Sequence, residues 1–262
     1  MKATQTMRSF RVNAVLFACA LAAPMVGAQP AATASAPTAA ASAPAAPSIR
    51  PELRAILLEV QTLLSEKKYP QAKEKIQLAN AVADKSPYET YIVSRIALSL
   101  AIAEDDAPSA NKLLEQVLAL NTTGAWLKPE ETLPLMHAAG ITNYRAKDYA
   151  QSAIWMERYI KEGGTDPAVK NVRVQAYLLG GNLQRGSELI DEEIAASDLA
   201  KKAPPQNYLE MLGQARNNLK DTAGATRAAE LLVQHYPSAE SWRALINRLW
   251  SRSDLATRLH LD

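Results

Sequence analysis

Cysteine is nearly missing from this 262-residue chain, with Cys19 the single one. A lone thiol closes no intramolecular disulfide and builds no thiolate metal site. Histidine is scarce too. His137, His235 and His260 stand far apart without ligand-type neighbours, and no His-Glu-x-x-His occurs, so a zinc-hydrolase helix has no support. Gly181-Asn182-Leu183-Gln184-Arg185-Gly186-Ser187 has the two glycines of a phosphate loop but lacks the lysine that meets the phosphates, and no strand pattern precedes it. Ser65-Glu66-Lys67-Lys68 matches Ser-x-x-Lys, yet the companion Ser-Asp-Asn and Lys-Thr-Gly motifs are missing. No catalytic, cofactor or metal residues are therefore expected, and the chain reads as non-enzymatic.

Positive charge in excess is lacking as well. Lys and Arg total 29 against 27 Asp and Glu, and three of the basic residues (Lys2, Arg8 and Arg11) precede an apolar run over 12–27. That run ends in Val26-Gly27-Ala28, the small-residue site of a secretory signal peptide. It is shorter than the ~20 apolar residues a bilayer span needs, and it contains Pro24. Cleavage after Ala28 removes Cys19 and leaves 26 basic against 27 acidic residues, which indicates no nucleic-acid partner. Leu16-Phe17-Ala18-Cys19 also resembles a lipid-attachment box, although Phe17 is bulky for it, so lipidation at Cys19 is the secondary alternative. The expected location is the periplasm, with no integral span after cleavage.

Residues 29–48 contain only Ala, Pro, Ser, Thr and one Gln. Nothing there can be buried to offset ordering entropy, and the recurrent prolines interrupt any helix. The stretch reads as a disordered, extended linker to a folded body over 49–262.

What the body does have is helical periodicity. Leu53, Ile56, Leu57, Val60, Leu63 and Leu64 sit on one face of an amphipathic helix. After a break at Glu66-Lys67-Lys68 a second helix follows, and this helix–break–helix grammar repeats. The segments 91–103 and 109–120, 133–145 and 149–161, 169–180 and 183–196, and 208–219 and 222–234 form further pairs, with a partial pair at 241–250. Five small residues recur at the start of the second segments: Ala72, Ala110, Ser152, Gly186 and Ala225, at intervals of 38, 42, 34 and 39 residues. A period in that range marks a helical-repeat array. Gly163-Gly164 supplies a helix stop, and Ser86-Pro87 and Asp166-Pro167 supply helix starts.

Lys68-Tyr69-x-x-Ala72, Asp148-Tyr149-x-x-Ser152, Asn182-Leu183-x-x-Gly186 and Asp221-Thr222-x-x-Ala225, with Ala139-Gly140 and Leu212-Gly213 in the first helices, resemble the tetratricopeptide (TPR) pattern. The resemblance runs from about Leu53 to Trp250 and departs from pattern in the fourth pair, where Lys170 and Arg173 occupy positions usually apolar. It implies an all-α, right-handed α-solenoid of about five TPR-like helix pairs plus a partial C-terminal repeat. Ser86-Pro87-Tyr88-Glu89-Thr90-Tyr91, Tyr144-Arg145-Ala146-Lys147-Asp148-Tyr149 and the stretch 161–167 resemble, more narrowly, a group of exported proteobacterial TPR proteins sometimes encoded beside TonB energy-transduction components. Members of that group extend further, so this chain, ending after Leu255, Leu259 and Leu261, reads as truncated or as pairing with something else.

In such arrays the first helices line the concave face. Their two most inward positions carry over to Leu57 and Gln61, Arg95 and Ser99, His137 and Ile141, Asn171 and Gln175, Glu210 and Gln214. The eight polar members form a ladder suited to an extended peptide. The expected function is an exported scaffold or adaptor that binds a protein or peptide partner, with an envelope energy-transducing or assembly complex as one setting. A structural or assembly factor of the envelope is the alternative; oligomeric state is left open. Trp155, Trp242 and Trp250 are expected in the core, while Trp126, on the long connection 121–128, either pins that loop or meets a partner. The acidic run Asp191-Glu192-Glu193 is expected to be a solvated helix face.

Overall fold

A computed structural model describes residues 47–250. The expected signal peptide over 1–28, nearly all of the expected linker over 29–48, and His260, Leu255, Leu259 and Leu261 lie outside the described residues. Among the described residues there are eleven α-helices and no strand. They run in pairs: α1 (Pro51–Ser65) with α2 (Tyr69–Ala81), α3 (Pro87–Ala103) with α4 (Ala107–Gly124), and α5 (Pro129–Arg145) with α6 (Tyr149–Lys161). Then follow α7 (Pro167–Leu179) with α8 (Leu183–Leu199), α9 (Gln206–Asn218) with α10 (Thr222–His235), and α11 (Ala239–Trp250). Each helix packs on its neighbours in the chain, which makes the body an all-α, TPR-like helix-pair solenoid.

Local chemistry explains the punctuation. Pro51, Pro87, Pro129 and Pro167 open first helices at the position where a missing N–H costs nothing. Ser86 accepts from the Glu89 amide while Glu89 reaches back to the Ser86 amide, a complete capping box. Asp106, Asp148, Asn182 and Asp221 cap second helices by accepting from the amide three residues on. Each turn inside a pair closes on one left-handed residue: Lys67, Asp105, Lys147, Gly181 and Lys220, with φ between 54° and 84°. Each of these precedes its pair's small residue by five positions, so the repeat seen in sequence is also a repeat in backbone conformation. Around Lys67 the Lys68 amide bonds the Leu63 carbonyl and the Lys67 amide bonds that of Leu64, a Schellman closure that recurs at Asp105, Lys147 and Lys220.

Two expected boundaries change. Residues 121–124 belong to α4 rather than to a long connection, because Ala125 supplies the left-handed stop. First helix α5 begins one turn earlier than the apolar pattern suggested, at Pro129, whereas α3 begins at Pro87, the start that Ser86-Pro87 indicated.

The small residues stand where the paired helices cross. Ala72, Ala110, Ser152 and Ala225 are fully buried. A Cβ added to Gly186 would meet Leu178 Cδ2 at 2.4 Å, and one added to Gly140 would meet Met156 Cε at 2.6 Å. One continuous apolar cluster extends from Ile49 to Val169; a second links α7 to α10, and Leu245 joins a third with Ala229 and Val233. Arg173, the off-pattern residue of the fourth pair, is buried and pairs with Glu157 at 3.2 Å, while Lys170 pairs with Glu193 at 2.8 Å. A polar joint crosses the core between α4, α5 and α6. Trp155 Nε1 donates to Asn111 Oδ1 at 2.7 Å, and Asn111 and Asn143 exchange amide bonds at 2.9 and 2.7 Å. Trp155 is core, as expected. Trp242 and Trp250 are not, at 50% and 71% exposed, since no second helix covers α11 among the described residues.

Candidate partner-binding face

The first helices come closer to one another than the second helices do. α1 packs on α3, α3 on α5 and α5 on α7, with no comparable contact between successive second helices. The first-helix side is therefore the inner side of the array, and the residues projected from it are the candidates for contact with a partner.

Most of the polar ladder on this side is already engaged. Arg95 is only 8% exposed; its Nη1 donates to the Tyr91 hydroxyl and its Nη2 to Glu131, each at 3.1 Å. Burial pushes the Glu131 carboxyl up, but the Lys128 amide and the Arg95 guanidinium outweigh it and leave the group below the usual carboxylate range. Ser99 donates to the Arg95 carbonyl of its own helix. Gln175 accepts from the Tyr144 hydroxyl at 2.7 Å, and Asn171 accepts from Asn207 at 3.4 Å. These bonds join α3 to α5, α5 to α7 and α7 to α9, so the ladder positions spend hydrogen bonds on coupling successive pairs.

His137 is half-buried with its ring 6.0 Å from that of Tyr159. Burial lowers its pKa below the ordinary value despite the opposing pull of Asp166. Glu210 is exposed and accepts from Gln206. Gln61 is half-buried and Gln214 exposed, and neither side chain hydrogen-bonds another described residue. The two ends of the array thus offer the amides with spare bonding capacity.

The ladder reading passed over an apolar row. One residue beyond each first rung stand Leu58, Ile96, Ala138, Val172 and Met211; Leu58 is 46% exposed, whereas Ile96 is buried in the core and Val172 and Met211 pack against it. Uniform apolarity at five equivalent positions was available in the sequence and is the signal that would have found them.

Other clusters are accounted for internally. Trp126 pins its connection, with its ring 5.3 Å from those of both Tyr88 and Tyr91. Asp191 pairs with Arg216, Glu192 with Arg185 and Glu193 with Lys170, so the acidic run is an ion-paired helix face. Asp191 and Arg216 also line a cleft of about 320 Å³ between α8, α9 and α10, together with Asp221, Arg227 and Leu212. Among the described residues no group of three or more His, Cys, Asp or Glu is placed to hold a metal ion. No helix among them is long and apolar enough to cross a membrane.

No family model matches the chain, and no curated protein matches it. Among solved structures it is similar to nearly identical TPR-like repeats of a kinesin light chain candidate from Podosopora anserina, at 17% identity and a TM-score of 0.43 over 77% of this chain and 98% of that one. A single-substitution variant of those repeats gives 16% identity and a TM-score of 0.42 over 70% and 95% of the two chains. For pilF of Pseudomonas aeruginosa the figures are 12% identity and a TM-score of 0.32 over 73% and 95%. The solenoid assignment rests on the helix pairing and turn register described above.

Proposed function

We propose that the protein is an exported, non-enzymatic scaffold that binds an extended segment of a protein partner along the inner side of its first helices. The observation that carries this reading is the coupling of the first helices into one face, with Gln61 and Gln214 uncommitted and Leu58 exposed near Gln61. Concave faces of this kind are the usual binding surface of solenoids. Export is supported by the charged, apolar and small-residue order of residues 1–28, and reach from the export site by the Ala/Pro-rich 29–48. The cell envelope is the compartment this implies, and an energy-transducing or assembly complex there is the partner that the resemblance to exported TPR proteins suggests.

A photo-crosslinking amino acid placed in turn at Gln61, Gln214, Leu78 and Glu230 tests the reading in the native compartment. The same protein captured from Gln61 and Gln214, but not from Leu78 or Glu230 on second helices, is the expected result. Capture confined to Leu78 and Glu230 would place the binding surface on the outer side and overturn it. Turnover of cell-wall or peptide substrates by the purified chain would overturn the non-enzymatic part.

A further inference from the structure

Successive second helices leave grooves on the outer side of the array, and side chains of the later helix fill two of them. In the groove between α4 and α6, Trp155 of α6 is buried and reaches Asn111 of α4. In the groove between α6 and α8, Arg185 of α8 reaches Glu157 of α6 at 3.9 Å. The repeat register carries both positions onto α10. Trp155 lies three residues after Ser152, and three residues after Ala225 stands Ala228. Arg185 lies one residue before Gly186, and one residue before Ala225 stands Gly224. Both filling positions are thus small in the fifth pair, and here the groove stays open as the cleft between α8, α9 and α10.

The cleft has an apolar lining in Ile194, Leu212 and Leu231, and its charged residues do not balance. Arg216 is shared by Asp191 and Asp221, and Arg227 is offset by Glu230 at 3.6 Å. That leaves Asp198, whose carboxylate pairs with no described residue. It stands in the last turn of α8, where the carbonyl end of the helix disfavours an anion, so an added cation is welcome there. The next residue, Leu199, is 88% exposed and adds an aliphatic contact beside the carboxylate. At about 320 Å³ the cleft sits at the small end of ligand pockets, which run from ~300 to 1,000 Å³, and it admits one large side chain. We propose that it takes an aromatic side chain with a neighbouring lysine or arginine, from a protein segment other than the one bound on the inner side. The ring occupies the place that Trp155 fills two pairs earlier, and the cation meets Asp198. Aromatic anchors seated in such pockets carry most of the energy of an interface.

The test uses the full chain and two probes, the peptide acetyl-Ala-Trp-Lys-Ala-amide and its Trp-Glu counterpart, read by backbone amide chemical shifts. Millimolar Trp-Lys peptide is expected to shift the amides of Ile194, Asp198, Leu212 and Leu231. The Trp-Glu peptide is expected to bind about two- to fivefold more weakly, the range set by an exposed ion pair. Asp198→Asn changes an exposed side chain with no partner to lose, and is expected to remove that difference with the fold intact. Equal affinity of both peptides for the unsubstituted chain would overturn the proposal, as would a difference that survives Asp198→Asn. Shifts confined to the surroundings of Gln61 and Gln214 would also overturn it, and would leave the inner-side reading standing.

Discussion

Two buried helix glycines, Gly186 and Gly213, should respond oppositely to the same change. Alanine in a helix interior is favoured over glycine by about 1 kcal/mol. At Gly213 a Cβ has room: it would lie 3.8 Å from Ala228 Cβ and 3.9 Å from Arg248 Nη2, both ordinary contacts. Gly213→Ala should therefore keep most of the propensity gain, about 0.5–1 kcal/mol. At Gly186 the Cβ would lie 2.4 Å from Leu178 Cδ2, 2.8 Å from its Cγ and 3.4 Å from its backbone nitrogen. The whole Leu178 side chain and its helix must shift, and overpacking of this kind costs about 1–3 kcal/mol. The net expectation for Gly186→Ala is a loss of up to about 2 kcal/mol, which separates the variants by about 0.5–3 kcal/mol. Urea unfolding followed by far-UV circular dichroism reads this as midpoints moving in opposite directions from the parent. If Gly186→Ala stabilises as much as Gly213→Ala, the close crossing of α7 and α8 is not what selects the small residue.

Three further outcomes follow from buried polar groups. The Ser152 hydroxyl is buried without a hydrogen-bond partner, so Ser152→Ala should raise stability by about 1 kcal/mol, checked by the thermal midpoint, whereas Ser152→Leu should unfold the array. Asn111→Leu removes the shared acceptor of Trp155 Nε1 and the amide partner of Asn143, and should cost about 2–4 kcal/mol because two buried groups are left unpaired. The Glu89 carboxyl is held down to about 2 from 4.5, chiefly by the Arg50 side chain against the opposing effect of burial, with the Arg50 and Ser86 amides adding. A group lowered in the folded state contributes stability above its unfolded value that is lost as pH falls through its folded value. The loss should therefore appear between about pH 4.5 and pH 2. The full shift corresponds to about 3 kcal/mol, discounted to about 1–2 kcal/mol because Arg50 is 40% exposed. Glu89→Gln should flatten that acid limb in unfolding measured across the range, and an unchanged limb would remove Glu89 as its cause.

The repeat was legible because it is written twice, in side-chain size and in turn chemistry. Ala72, Ala110, Ser152, Gly186 and Ala225 recur where helices cross, and Gly163, Ser86-Pro87 and Asp166-Pro167 stop and start helices as their local chemistry requires. Left-handed lysines at 67, 147 and 220 were not legible, because lysine has no intrinsic preference for that conformation and takes it only to close the Schellman turn. The candidate face was legible in position but not in state. Arg95, Asn171 and Gln175 point to the inner side, yet whether such a residue is spare depends on Glu131, Asn207 and Tyr144, which lie 31–36 residues away.

Period, pairing and class of fold therefore follow from the sequence alone, because they depend on contacts within one helix pair, where the spacing along the chain sets the spacing in space. The tertiary structure decided which polar groups are satisfied and which surfaces remain open. Tyr144 reached Gln175, Glu131 reached Arg95, and α11 kept Trp242 and Ile246 in water. Those outcomes depend on how one pair is set against the next, a geometry that no residue encodes by itself.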